Sequence, residues 1–447
     1  MKSKERLVVK NFLNLEDIDI EVKNINIFIG SQATGKSLIV KLLFYFKNIL
    51  DEAVSAGLSG AYKKEFDRGI EQRFRRYFPP AAWRKNSVFQ VEYFIGKEFI
   101  SISGYRKAIR KGKRSEFALK VTYSDFYRKS LSAIRTQSSK IKKKFVEGNF
   151  DTGDVDGTVI DNSHRIIQDR ASKYGVEKIA FDQIFVPAGR SFFSYIKQNV
   201  FSIISGQGSI DPFMLHLGSY YESFKGVAAN IKSFQKESNA ELADKVLKAI
   251  RKILDGEYVQ IDGEDFLILE DGRIVSVSES SSGQQEFLPV AIILATLPYL
   301  TDSCGRSIYI EEPEAHLFPK SQREIVELIS LIFNNDLVRN HSEEKIQFFI
   351  TTHSPYILTS FNNLIQAGSL YERISEEYIE SLNAVIPRKY SLLSSEFCAY
   401  HVKDGTAKSI IDDETGLIDA SFIDEISEDI AVKFDQMIDI EIEMEID

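Results

Sequence analysis

The stretch FIGSQATGKS, residues 28–37, stands between an apolar run, INIFI, and a segment apolar at helical spacing, SLIVKLLFYFKNIL. A strand that enters a helix through a glycine-bearing loop of this spelling limits the fold more than any other feature of the chain. The pattern is Gly30-x-x-x-x-Gly35-Lys36-Ser37. Gly30 and Gly35 permit backbone angles that a side chain forbids, so the N–H groups of the loop, including those of Gln32, Ala33 and Thr34, can turn inward around an oxyanion. Lys36 is long enough to reach outer phosphates, the Ser37 hydroxyl suits Mg2+, and the N-terminus of the following helix adds its positive dipole end. The competing reading, an ordinary turn that happens to hold glycine and lysine, does not explain this context.

Strand and helix patterns continue downstream. LVVKNF and IDIEV read as strands ahead of INIFI, and VFQVEYFI, EFISIS and FALKVTY as further strands. A basic helix is expected around SDFYRKSLSAIRTQSSKIKKKF, then a polar loop, EGNFDTGDVDGTVIDNS. DQIFVPAGRS reads as a core strand, and helical patterns fill about 191–254. Short β segments follow at YVQIDG, FLILEDG and RIVSVS, then a buried helix, QEFLPVAIILATLPYL, a strand, RSIYIEE, a helix, PKSQREIVELISLIF, and a last strand, KIQFFITTHS. This alternation predicts an α/β fold with a mixed, mostly parallel sheet and helices on its faces. The expected division is 1–50, carrying the glycine-rich loop; a basic α+β insertion over 51–180; 181–365, with a helical arm at 191–254; and an extension over 366–447. In the extension Phe422, Ile426, Ile430 and Phe434 recur every fourth residue, one face of an amphipathic helix whose other face is acidic.

Composition narrows the class. With 447 residues, 43% apolar and 27% charged, the chain reads as globular rather than disordered. The longest nearly uncharged stretch, FLPVAIILATLPYL, falls short of the roughly 20 residues a bilayer needs, so no membrane partner is expected. MKSKERLVVKNF lacks the apolar segment of a secretion signal. Two cysteines, Cys304 and Cys398, make neither a disulfide framework nor a four-thiolate zinc site, which suits the cytoplasm. Charge is unevenly spread: residues 61–150 hold 23 Lys/Arg against 8 Asp/Glu, whereas 411–447 hold 14 acidic residues against Lys433 alone. The chain thus has a basic middle and an acidic end.

Far from the loop, SESSSGQQEF places Ser281-Ser282-Gly283-Gln284 before the buried helix, IYIEEPEAHL ends a strand in Glu311 and Glu312, and FITTHSP puts His353 at the end of another. Singly these are a polar helix cap, a charged strand end and a lone histidine. In this order after Gly30–Ser37 they resemble the ABC-type ATPases, in the branch with SMC-like and OLD-like proteins. The likeness covers residues 6 to about 50 and 181 to about 365. Two positions of the signature depart from the usual spelling, Ser280 for leucine and Ser282 for the first glycine, and Glu311 replaces the aspartate usual in transporters. The resemblance implies an ATPase using ATP and Mg2+. Gly30 to Ser37 would hold the phosphates, Ser37 and Glu311 the metal, Glu312 would orient the attacking water and accept its proton, and His353 would sense the terminal phosphate. It also implies that Ser281, Ser282, Gly283 and Gln284 face nucleotide held by another subunit, so a complete site needs at least a homodimer. Gln90 and Gln183 are the candidates for the glutamine that links Mg2+ to the neighbouring subunit, and Arg190 either approaches phosphate or braces the sheet.

What such an ATPase serves depends on its attachments. The segment 51–180 has neither the length nor the heptads of an SMC coiled coil, though RecF-like relatives lack long coils too. A nuclease domain within the chain is disfavoured by the short, acidic segment after His353. QATGKS, PAGRS and the spacing from SSGQQE to EEPEAHL resemble stand-alone ATPases of anti-phage defence systems, such as the PARIS and Septu groups. That likeness implies a sensor or scaffold subunit that controls a separate TOPRIM or HNH nuclease. The alternative is a RecF- or SMC-like ATPase of DNA repair. Arg73, Arg75 and Arg76, interleaved with Phe74, Tyr77 and Phe78, together with Lys142 to Lys144, suit DNA, a DNA-mimicking phage protein, or simply a solvated surface.

Overall fold

The computed structural model describes residues 3–60, 62–83, 88–107, 116–146, 155–191, 211–229, 240–299, 305–335 and 346–419. Its centre is an eleven-stranded sheet. The chain opens with β1 (Glu5–Phe12), β2 (Leu15–Val22) and β3 (Ile25–Ile29), then α1 (Lys36–Lys47), α2 (Ile49–Ser59) and α3 (Lys63–Tyr77). β4 (Phe89–Ile95), β5 (Glu98–Lys107) and β6 (Glu116–Tyr123) lead to α4 (Asp125–Val146), α5 (Val155–Tyr174) and β7 (Asp182–Val186). Next come α6 (Pro212–Ala229), α7 (Ala240–Leu254), the small three-stranded sheet of β8 (Gly256–Ile261), β9 (Glu264–Leu269) and β10 (Ile274–Ser276), and α8 (Ser282–Thr296). β11 (Arg306–Glu311), α9 (Pro319–Asn334), β12 (Gln347–Thr352), α10 (Pro355–Arg373), α11 (Glu376–Val385), β13 (Phe397–Lys403) and β14 (Thr406–Ser409) complete the described chain.

The sheet runs β6-β5-β4-β1-β2-β14-β13-β3-β12-β11-β7. Strands β13, β3, β12, β11 and β7 are mutually parallel, and β6 to β2 form an antiparallel wing. All six residues of β11 and of β12 are buried, as parallel strands covered on both faces must be. Their period of two sorts side chains between two cores. Phe28, Tyr309 and Phe349 face α1, where Tyr309 and Phe349 stack at 4.5 Å and Phe44 meets Phe185 at 5.2 Å. Ile27, Ile308, Ile310 and Ile350 face α8 and α9.

Three expectations change. Residues 51–180, expected as a basic α+β insertion, add to the sheet of the head, because β4 pairs along β1 (Leu7 with Tyr93, Val9 with Val91) and widens it. The extension after 365 likewise supplies β13, which lies beside β3 in the centre of the sheet, Ala399 opposite Ile27. The stretch 147–163, expected as a polar loop, becomes helical from Val155, since Val159, Ser163, Ile167 and Ala171 form a buried stripe four residues apart. The acidic face with Phe422, Ile426, Ile430 and Phe434, and Cys304, lie outside the described residues. Among the described residues no helix is long and apolar enough to cross a membrane.

A buried polar cluster ties wing to head. Lys47 donates to Glu5 Oε1 and Gln347 Oε1, both at 2.8 Å, and Tyr93 Oη and Gln347 Nε2 also donate to the Glu5 carboxylate, at 2.8 and 2.9 Å. Burial alone would raise the Glu5 carboxyl, but Lys47 and Lys178 hold it below its ordinary value.

Candidate functional site

β3, β12 and β11 lie side by side in parallel, so their C-terminal ends emerge at one edge, where the loop into α1 also begins. In open α/β sheets this edge is where ligands bind. Gly30 adopts φ +156°, and a Cβ there would stand 2.2 Å from the carbonyl oxygen of Val402 on β13. Gly35, at φ +109°, is the N-cap of α1, and Ala33 between them is left-handed at φ +62°. The alternating hand turns successive amides inward. Asn14, in the β1–β2 turn, donates to Ala33 O at 2.9 Å and fixes the loop from outside.

Lys36 is buried and folds back over the loop, with Nζ donating to Gly30 O at 2.8 Å and Ser31 O at 2.7 Å. Burial pushes its pKa down to about 8, against the opposing pull of Glu312 and Glu314. Its Nζ lies 3.4 Å from His353 Nδ1, and His353 Nε2 lies 3.4 Å from Glu312 Oε1. The start of α1 and the ends of β12 and β11 thus contribute one line of groups, ammonium, imidazole and carboxylate. Glu312 adopts φ +45°, a costly angle for a side-chain-bearing residue that tertiary contacts must hold. Its N–H donates to Thr351 O at 2.9 Å.

Glu311 is buried at the end of β11, and its Oε2 accepts the Ala188 N–H at 3.1 Å. Its Oε1 is buried with no hydrogen-bond partner among the described residues, as is Thr351 Oγ1 on the residue paired with it. Such an orphaned carboxylate oxygen fits a cation or its water shell. Ser37, half-buried in the first turn of α1, carries a hydroxyl that is likewise a hard-oxygen donor of the kind Mg2+ takes.

Arg190 braces the sheet. It is fully buried, with Nε donating to Glu286 O at 2.6 Å, Nη1 to Glu311 O at 2.7 Å and Pro187 O at 3.2 Å, and Nη2 to Glu312 O at 3.0 Å. Glu286 accepts the N–H groups of Arg190 and Ser191 at 3.2 Å each. The guanidinium therefore ties α8, which carries the signature, to the two site glutamates.

Ser281 caps α8 and exchanges hydrogen bonds with Gln284, a capping box. Gln284 also donates to Leu254 O at 2.7 Å. Ser281 and Ser282 are exposed, whereas Gly283 is buried where a Cβ would meet His316 O at 2.7 Å. Among the described residues, no hydrogen bond joins this turn to Gly30–Ser37 of the same chain. Neither glutamine candidate is poised for a metal: Gln183 is buried and accepts the Tyr309 hydroxyl at 2.7 Å, and Gln90 lies on β4 in the wing.

The basic stretch is partly consumed by structure. Arg73 donates to Asn48 O and Glu52, Arg75 lies over Trp83, and Lys142 caps Leu58 O, while Phe74 and Phe78 are core. Arg76, Lys143 and Lys144 are exposed.

Residues 190–358 match a family model described as AAA ATPase domain. That range runs from Arg190 through the signature and the Glu311–Glu312 strand to just beyond His353. Among solved structures, the chain is similar to an SMC head bound to the C-winged helix domain of ScpA, at 11% identity over 91% of this chain and 97% of that one, TM-score 0.39. It is also similar to an SMC head domain from Thermotoga maritima (12%, 92% and 98%, TM-score 0.32) and to the recombination mediator protein RecF-ATPrS (12%, 91% and 98%, TM-score 0.29). Likenesses this loose specify neither an activity nor a partner.

Proposed function

We propose that this chain is an ABC-type ATPase head that binds ATP with Mg2+ and hydrolyses it slowly, as a switch. The observation that carries the reading is the line from Lys36 through His353 to Glu312 beside the orphaned Glu311 oxygen. Bound ATP and Mg2+ supply the scissile phosphoanhydride and the cation that draws charge from it. The amides from Gly30 to Ser37 cradle phosphate oxygens, and Lys36 gives up its carbonyl partners to neutralise them. Ser37 and Glu311 would hold the metal. Glu312 orients water and takes its proton, and His353 donates to the terminal phosphate. Ser281, Ser282, Gly283 and Gln284 act on nucleotide in a second copy of the chain, a reading supported by the exposure of Ser281 and Ser282 and, among the described residues, by the lack of any hydrogen bond to their own loop.

Glu312→Gln should bind ATP as the wild type does while losing at least about a hundred-fold in Mg2+-dependent phosphate release, the scale of general-base loss. Normal turnover in that variant would refute the assignment. Light scattering with ATP tests for the homodimer or larger homo-oligomer.

For the biological setting, the resemblance of QATGKS, PAGRS and SSGQQE to EEPEAHL supports a sensor or scaffold subunit of an anti-phage defence complex with a separate TOPRIM or HNH nuclease. Loss of phage restriction in cells carrying Glu312→Gln, and co-purification of a nuclease, would support it. The exposed Arg76, Lys143 and Lys144 favour a second reading, a RecF- or SMC-like ATPase that touches DNA. That reading requires DNA affinity falling steeply with salt, whereas a DNA-mimicking phage protein would bind the same surface without any DNA affinity.

A further inference from the structure

We propose that Glu314 is a positioning residue for hydrolysis, holding the His353 turn in place through two hydrogen bonds accepted by one carboxylate oxygen; the proposal rests on the ATPase reading above. Glu314 sits in the tight turn after β11, closed by Ala315 N–H to Glu312 O at 3.0 Å and Leu317 N–H to Glu314 O at 2.9 Å. Its Oε1 accepts the Thr352 hydroxyl at 2.7 Å and the His353 N–H at 2.8 Å. Thr352 Oγ1 in turn accepts the Ser354 N–H at 2.9 Å. Residues 352–354 are therefore pinned to the same turn that carries Glu312.

The imidazole of His353 touches Lys36 on one side and Glu312 on the other, each at 3.4 Å, so its placement depends on where that backbone is held. Glu314 Oε2 is buried with no hydrogen-bond partner among the described residues. A carboxylate with one oxygen left so is a poor choice for stability alone. The turn also seats the signature helix, since His316 O closes against Gly283. One short segment thus sets the glutamate, the histidine backbone and the signature relative to one another.

Alanine at 314 leaves the Thr352 hydroxyl and the His353 N–H without their acceptor, whereas the amide oxygen of glutamine can accept both. The test compares wild type, Glu314→Ala and Glu314→Gln in two measurements. In nucleotide-free protein, hydrogen–deuterium exchange of the peptide containing His353 should run about ten-fold faster in Glu314→Ala and match wild type in Glu314→Gln. In steady-state hydrolysis, Glu314→Ala should lose about ten-fold or more in kcat with ATP Kd changed by less than about two-fold, and Glu314→Gln should restore kcat. Unchanged exchange in Glu314→Ala, an undiminished kcat, a loss confined to ATP Kd, or a glutamine variant as impaired as alanine would each overturn the proposal. A wild-type chain that hydrolyses no ATP sinks the ATPase reading instead, and the exchange difference then decides by itself whether Glu314 holds the turn.

Discussion

If Lys36 holds phosphate as proposed, its burial predicts that nucleotide binding takes up a proton. In the free protein burial brings its pKa to about 8, so near pH 7.5 about three quarters of the molecules carry the charge and at pH 9 about one tenth do. Phosphate oxygens in place of the Gly30 and Ser31 carbonyls would restore the ammonium toward its ordinary value, since an adjacent anion favours the charged form. Binding at pH 8.5 should then take up about 0.75 proton, and ATP affinity should fall about eight-fold between pH 7.5 and 9. Titration calorimetry in two buffers of different ionisation heat gives the uptake directly. Lys36→Arg, charged throughout this range, should flatten the pH dependence. Zero uptake at pH 8.5, with an affinity independent of pH in the wild type, would refute the burial argument. The same shift has a consequence without ligand. The folded value lies below the unfolded 10.5, so the unfolded chain holds more protons between about pH 8 and 10.5, and this group's penalty on stability is relieved as pH rises through that window.

Other perturbations test the scaffold. Arg190→Met removes one donor from each of four carbonyl oxygens and leaves the Glu286 carboxylate buried beside a neutral side chain. It should cost about 3–5 kcal/mol in urea unfolding, and a cost under about 1 kcal/mol would show that the guanidinium is not a brace. Gly30→Ala drives a methyl group into the Val402 carbonyl, a backbone atom that cannot swing aside. About 1–3 kcal/mol of stability and most ATP affinity should be lost, and a variant that binds ATP normally would mean that the loop does not lie against β13.

The order of strands and helices was legible because apolar period and glycine placement act locally: INIFI, SLIVKLLFYF, RSIYIEE and KIQFFITTHS became β3, α1, β11 and β12 close to where their patterns put them. Sheet neighbours were not legible. Nothing local to FCAYHVK says that it lies beside INIFI, with Phe397 opposite Ile25, and nothing in VFQVEYFI says that its edge is β1. The helix from Val155 was hidden by Asp, Gly, Thr and Asn on its solvent side, and only the buried stripe distinguishes it from a loop.

For the proposed site, the spelling of the loop by itself singled out Gly30, Gly35, Lys36 and Ser37, whereas Glu311, Glu312 and His353 were singled out by the resemblance to ABC-type ATPases, each being ordinary by its own residue type. Tertiary structure alone decided what they are to one another. It placed His353 between Lys36 and Glu312, gave Arg190 to the sheet rather than to phosphate, and brought out Glu314 and Asn14, whose roles rest on hydrogen bonds to residues 38 and 19 positions away. A local pattern encodes which backbone a segment prefers. A hydrogen bond between segments far apart in the chain is fixed only when the whole sheet closes, since only then do its two partners meet.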